Sequence, residues 1–267
     1  MGHVMSEDGT RIAFDRLGEG PALVVVGGGL DDGSESAPLA TELAERFTVY
    51  TYARRGRGDS GDTSPYALER ELEDIDALIA AAGGPAHLYG VSSGGALALE
   101  AAVASTAIDR VAVYEVPYAM SDDAVGGWTA YVEQLDEALG RGDRAAALEH
   151  FMRLAGSSDD QIVAARSTPM WPGLEALAHT LAYDAACLGD GRPPRERLAS
   201  LTNRTLVVTG SGRDPHTAQL QPGFFDDAAD ALVTAIPHAR RAKLEAQDHV
   251  ADPAVMAPLL TEFLSSP

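Results

Sequence analysis

Gly90-Val91-Ser92-Ser93-Gly94 decides the fold. The short run Ala86 to Tyr89 precedes it, and a helix rich in small residues follows, from Gly95 to Ala104. A strand that turns this sharply into a helix holds the middle serine, Ser92, at the apex of a strained turn. The glycines two positions to either side fit such a turn, where a Cβ would clash. The helix that follows aims its free amides at the serine and favours negative charge there. These are the requirements of a nucleophilic serine.

Working outward, short apolar runs alternate with helical patterns. Val4-Met5 and Arg11 to Phe14 flank Asp8-Gly9 and predict a hairpin. Ala22 to Val26, Phe47 to Tyr52, Ala86 to Tyr89, Val111 to Val116 and Thr205 to Thr209 are mostly β-branched. Such runs suit strands buried on both faces of a parallel sheet. Ser64-Pro65 predicts a helix start, with Leu68, Leu72, Ile75, Leu78 and Ile79 at helical spacing and Gly83-Gly84 as the stop. Pro253 to Phe263 predicts a terminal helix. The alternation predicts an α/β fold with a mostly parallel sheet flanked by helices.

Residues 118–200 break this rhythm and contain no strand pattern. Trp128, Tyr131, Val132 and Leu135 give one helical stripe, and Ala147, Leu148, Phe151 and Leu154 another. The expected organisation is a single domain, with residues 1–117 and 201–267 as the core and 118–200 inserted as a helical cap.

The 267 residues carry a formal net charge of −20. That argues against nucleic acid or an anionic membrane as partner, because both attract basic patches. It also opposes anionic substrates unless Arg54, Arg55 and Arg57 reverse the field locally. Cys187 is the only cysteine, so an intramolecular disulfide and a cysteine-based metal cluster are excluded. With no signal peptide pattern and no apolar run of membrane-spanning length, the expected location is cytoplasmic. The expected partner is a small-molecule substrate, and the expected state a monomer or small homo-oligomer. No metal and no organic cofactor is required.

Ser92 needs a base, a carboxylate to orient that base, and donors for an oxyanion. Among seven histidines, His249 precedes the last helix, where a loop returns to the top of the sheet. His87 lies inside a strand and reads as a core residue. Two acids compete. Asp214 follows the strand Thr205 to Thr209, and Glu115 lies at the end of the run from Val111. The chain order Ser92, Asp214, His249 is that of a triad on such a fold. The oxyanion donors are expected to be the Ser93 amide and amides after Val26, at Gly28, Gly29 or Leu30.

Together these residues resemble the α/β-hydrolase superfamily over essentially the whole chain. The matching pieces are GVSSG, VVVGGG (24–29), RRGRGDSG (54–61), VVTGSGRDP (207–215) and QDHV (247–250). The resemblance implies a smaller, cap-bearing serine hydrolase or esterase with a triad of Ser92, Asp214 and His249, Glu115 being the alternative acid. The chain departs from the family pattern at Gly27, Ala53 and Asp248, where histidine, aspartate and glycine are common. Two other functions share this fold: non-hydrolytic lyase, cyclase or oxygenase chemistry, and small-molecule binding without turnover.

Overall fold

A computed structural model describes residues 1–212, 217 and 220–266. Eight strands form one sheet: β1 (Gly2–Met5), β2 (Arg11–Leu17), β3 (Ala22–Val26), β4 (Thr48–Tyr52), β5 (Ala86–Val91), β6 (Ile108–Tyr114), β7 (Arg204–Gly210) and β8 (Ala239–Leu244). Their order across the sheet is β1-β2-β4-β3-β5-β6-β7-β8. The hairpin strands β1 and β2 are antiparallel to each other and β2 to β4, and the six strands from β4 to β8 across the sheet run parallel. Chain order reverses at β3, which pairs with both β4 and β5. A crevice at the carboxyl ends of strands at such a switch point is where open α/β sheets bind ligands.

Both faces of the sheet are covered, which explains the continuous apolar runs. Leu23, Val25, Val49, Ala112 and Val208 pack on one face against α1 (Ala37–Leu43) and α11 (Pro253–Ser265). Val24, Val26, Leu88, Val111 and Val207 pack on the other against α2 (Leu68–Ala82) and α3 (Ser93–Ala104). Helix α3 is mostly apolar, with Ala96, Leu97, Ala98 and Leu99 fully buried, and its buried Glu100 pairs with Arg197. It lies between the sheet and the helices that follow.

Helix α2 begins at Leu68, three residues after the expected start, and Ala67 before it is extended. Tertiary contact overrides the local signal. The Tyr66 ring stacks on Tyr183 with centroids 4.0 Å apart, and its hydroxyl donates to Glu71 at 2.9 Å, which holds this segment against a later helix. Between β6 and β7 lie α4 (Asp122–Gly140), α5 (Arg144–Leu154), α6 (Asp159–Arg166), α7 (Trp171–Leu177), α8 (Leu181–Leu188) and α9 (Arg195–Leu198). Another helix, α10 (Phe224–Ala235), connects β7 to β8. Helices α1, α6, α9 and α10 had no clear signal in the sequence. Among the described residues, no helix is long and apolar enough to cross a membrane.

Candidate active site

Ser92 stands between β5 and α3 with φ 55° and ψ −129°, a backbone conformation that costs free energy in any residue with a side chain. Close packing holds it there. A Cβ on Gly90 would lie 2.4 Å from the Gly94 carbonyl oxygen, and one on Gly94 would lie 2.4 Å from the carbonyl oxygens of Val26 and Gly27. The two glycines of the motif are therefore required by contact between the turn, α3 and the end of β3. The Ser92 amide donates to the Tyr114 carbonyl at 2.9 Å, which ties the turn to β6.

Glu115 follows β6 directly and has φ 48°. Its backbone amide bonds Val208 on β7, and its side chain is buried. One carboxylate oxygen, Oε1, accepts from the Gly210 amide at 2.9 Å. The other, Oε2, lies 2.7 Å from His249 Nδ1. The histidine ring is further held by Phe225, stacked on it at 5.0 Å and 16°. Nearby, the Tyr114 hydroxyl donates to the Asp248 carbonyl and pins the loop that carries His249. The structure thus brings Glu115 and His249 together. Asp214 lies outside the described residues.

Ser92, Ser93, Gly28, Gly29 and His249 open on one cavity of about 740 Å³. The inserted helices contribute Trp128, Tyr131, Phe151, Leu181 and Leu188 to its wall, and α10 contributes Phe224 and Phe225. The Ser92 hydroxyl has no hydrogen-bond partner among the described residues, His249 included. The Ser93 amide, at the start of α3, is one of the donors that a helix leaves without an internal acceptor. The amides of Gly28 and Gly29 likewise find no backbone acceptor among the described residues. A Cβ on Gly28 would lie 3.1 Å from Ser92 Cβ, so this loop passes directly beside the serine.

Arg54, Arg55 and Arg57 do not line the cavity, so the exception that they would have made to the charge argument does not arise. All three are buried and consumed by carboxylates. Arg54 grips Glu71 with two bonds of 2.7 and 2.6 Å and reaches Asp184 on α8 at 2.7 Å. Arg57 Nη2 donates to both oxygens of Asp184 at 2.8 Å. Arg55 binds Asp74 and Asp8. Burial works against ionisation of Asp184, but Arg57 and Arg54 prevail and hold its carboxyl below the ordinary value. Burial also pushes the Cys187 thiol up to about 12, so it is no nucleophile at neutral pH. His87 is buried in β5, and burial lowers its basicity, as fits a core residue.

Asp184 and Phe225 were invisible to sequence reasoning. Asp184 sits in an otherwise ordinary helix, far in sequence from both arginines. The arginines of RRGRG were the available signal: three guanidinium groups in one tight loop need carboxylates somewhere.

Known proteins agree with this architecture. Residues 22–258 match the model of the alpha/beta hydrolase family. A pimeloyl-[acyl-carrier protein] methyl ester esterase from Xanthomonas campestris is 30% identical over 248 residues, covering 88% of this chain and 90% of that protein. An uncharacterized hydrolase, YraK, from Bacillus subtilis is 28% identical over 57% of each chain. The crystal structure of an alpha/beta hydrolase from Sphaerobacter thermophilus superimposes with a TM-score of 0.87 at 45% identity, covering 99% of this chain and 100% of that one. The chain belongs to the alpha/beta hydrolase family and is an enzyme of that hydrolase type.

Proposed function

We infer that the protein is a serine esterase that cleaves an ester or related acyl bond of a small to medium, uncharged, largely apolar molecule. The observation that carries this reading is the joint opening of Ser92 and His249 onto one cavity, with the buried Glu115 carboxylate bonded to His249 behind it. In the reaction, the Ser92 hydroxyl turns toward His249 Nε2 and loses its proton as Oγ attacks the acyl carbon. Glu115 accepts from Nδ1, fixes the tautomer that leaves Nε2 free, and stabilises the imidazolium that forms. The Ser93 amide and an amide of the Gly28–Gly29 segment receive the oxyanion. His249 then gives its proton to the leaving alcohol. Water, activated by the same imidazole, releases the acid and restores the serine.

Charge disfavours an anionic substrate, and the largely apolar wall favours an uncharged one. Among the described residues that line the cavity, none is a lysine or an arginine, whereas Asp31, Glu35, Asp123 and Asp184 are acidic. The named esterase relative supports ester cleavage at the level of reaction class.

The test is a fluorophosphonate probe followed by mass spectrometry, with p-nitrophenyl esters for turnover. The expected adduct is on Ser92, and it is absent in His249→Ala. Neutral short-chain esters should turn over, and a hemisuccinate ester of the same alcohol should turn over more slowly. A folded protein that takes no label counts against an activated serine. Labelling without ester turnover points to the non-hydrolytic chemistry that this fold also hosts.

A further inference from the structure

We propose that Asp184, a residue of the inserted helix α8, is the positioning residue that aligns both oxyanion donors, acting through Arg57 on one side and Ser93 on the other. The proposal rests on the esterase reading above, and it adds a group that acts through other residues.

The geometry is specific. Asp184 Oδ1 accepts from the Ser93 hydroxyl at 2.8 Å, and Ser93 is the residue whose amide faces the oxyanion. Both oxygens of Asp184 accept from Arg57 Nη2 at 2.8 Å. The other arm of the same guanidinium, Nη1, donates to the Gly28 carbonyl. A trans peptide points its C=O and the following N–H in opposite directions. Drawing the Gly28 carbonyl toward buried Arg57 therefore turns the Gly29 amide away from Arg57, toward the side on which the cavity lies. Arg54 Nη1 acts in the same sense on the Gly27 carbonyl at 3.4 Å, while donating to Asp184 at 2.7 Å.

Glycine peptides are the units that need such restraint. Gly28 and Gly29 lack side chains to fix their planes, and a freely turning plane would lose the donor. A planar guanidinium with two donating arms can hold a carboxylate and a carbonyl at once, which an ammonium group cannot do with fixed geometry. A Cβ on Gly29 would lie 3.4 Å from Asp184 Oδ2, so the carboxylate stands beside the loop that it steers. Helix α8 thus does more than wall the cavity: it supplies the anchor for the donor set.

The test uses matched ester and thionoester substrates on the full-length protein. Sulfur accepts hydrogen bonds poorly, so the preference for oxygen over sulfur reports on oxyanion donors and not on the stability of the fold. For Asp184→Asn and Arg57→Met, kcat is expected to fall by about 10- to 100-fold, somewhat less than the ~100- to 1,000-fold for deleting a donor outright. KM should stay within about 3-fold if the donors act mainly in the transition state. The oxygen preference should fall in parallel with kcat, and Arg57→Lys should restore part of both. Ser93→Ala removes one bond and serves if Asp184→Asn does not fold; it should shift the same ratio to a smaller degree. Asp8→Asn, which loses a bond to Arg55 away from the glycine loop, should leave the ratio unchanged. The proposal is overturned if folded Asp184→Asn or Ser93→Ala keeps the wild-type oxygen preference, whatever happens to kcat. If Ser92→Ala still hydrolyses the esters, it is the esterase reading that falls.

Discussion

Ser92 and Asp184 line the same cavity, yet they are held in different ways. Ser92 is kept in place by backbone contacts and by glycines that allow them, and its hydroxyl is left without a partner among the described residues. Asp184 accepts four hydrogen bonds from three side chains and has no such freedom. The contrast separates two demands. A reacting group must be placed without being satisfied, so strain and close packing do the placing. A buried charge that does not react must be satisfied fully, because an unpaired one would cost several kcal/mol. Glu115 stands between the two cases. One of its oxygens is anchored by the Gly210 amide, and the other is free to serve His249.

Glu115 offers the largest test of this division. Glu115→Gln preserves shape, but the amide would donate to Nδ1 and force the wrong histidine tautomer. By analogy with the corresponding change in other triads, kcat should fall by about 10⁴-fold with little change in the fold. Asp214→Asn should cost less than about 10-fold if Glu115 is the orienting acid. The reverse order, read from steady-state kinetics of the two variants, would move the role to Asp214. On the saturated side, Arg54→Met leaves Glu71 buried with only the Tyr66 hydroxyl. Breaking such a pair should cost about 3–5 kcal/mol of stability in urea unfolding. The double variant Arg54→Met/Glu71→Leu should recover part of that loss, since it no longer strands a charge. No recovery would mean that Arg54 contributes mainly by packing.

The same division explains what could be read from the sequence. The turn that carries Ser92 was legible because its requirements are local: glycines where a Cβ would meet backbone, a strand before and a helix after. The parallel strands were legible because burial on both faces leaves continuous apolar runs such as Ala22 to Val26. The choice between Glu115 and Asp214 was not legible. In the sequence both come at or after the ends of apolar runs, Val111 to Val116 and Thr205 to Thr209, and chain order favours Asp214. What directs Glu115 toward His249 is its positive φ and its bond to the Gly210 amide, and neither leaves a mark on composition. The start of α2 was misjudged because Ser64-Pro65 is a valid local signal that the stacking of Tyr66 on Tyr183 overrides. The arginines after β4 were visible, but their burial was not, because Asp184, which Arg54 and Arg57 share, lies in the insertion, far along the chain.

Phe225 gives a smaller test on the reactive side. Its ring stacks on His249 and restrains the imidazole without a hydrogen bond. Phe225→Leu keeps apolar volume and loses the stack. An aromatic pair is worth about 0.5–1.5 kcal/mol, so kcat should fall by no more than about 10-fold. An unchanged kcat would show that Glu115 alone orients the ring.

Asp8 sets the lower end of the scale. Arg55 belongs to the same loop as Arg54 and Arg57, but it faces the β1–β2 turn, away from the cavity, and binds Asp8 there at 3.0 Å. Burial alone would raise the Asp8 pKa; hydrogen bonds from Arg55 and Thr10 prevail and bring it from 3.8 down to about 2. A carboxyl held below its unfolded value stabilises the fold above that value, and the contribution is lost as pH falls through the folded one. The difference in stability between wild type and Asp8→Asn should therefore be constant above pH 3.8 and shrink steadily toward pH 2. Ester turnover at neutral pH should not change, because Arg55 touches neither the glycine loop nor Asp184. A drop in turnover would mean that the three arginines act as one unit, and that the boundary between anchoring and alignment runs outside Arg54 and Arg57.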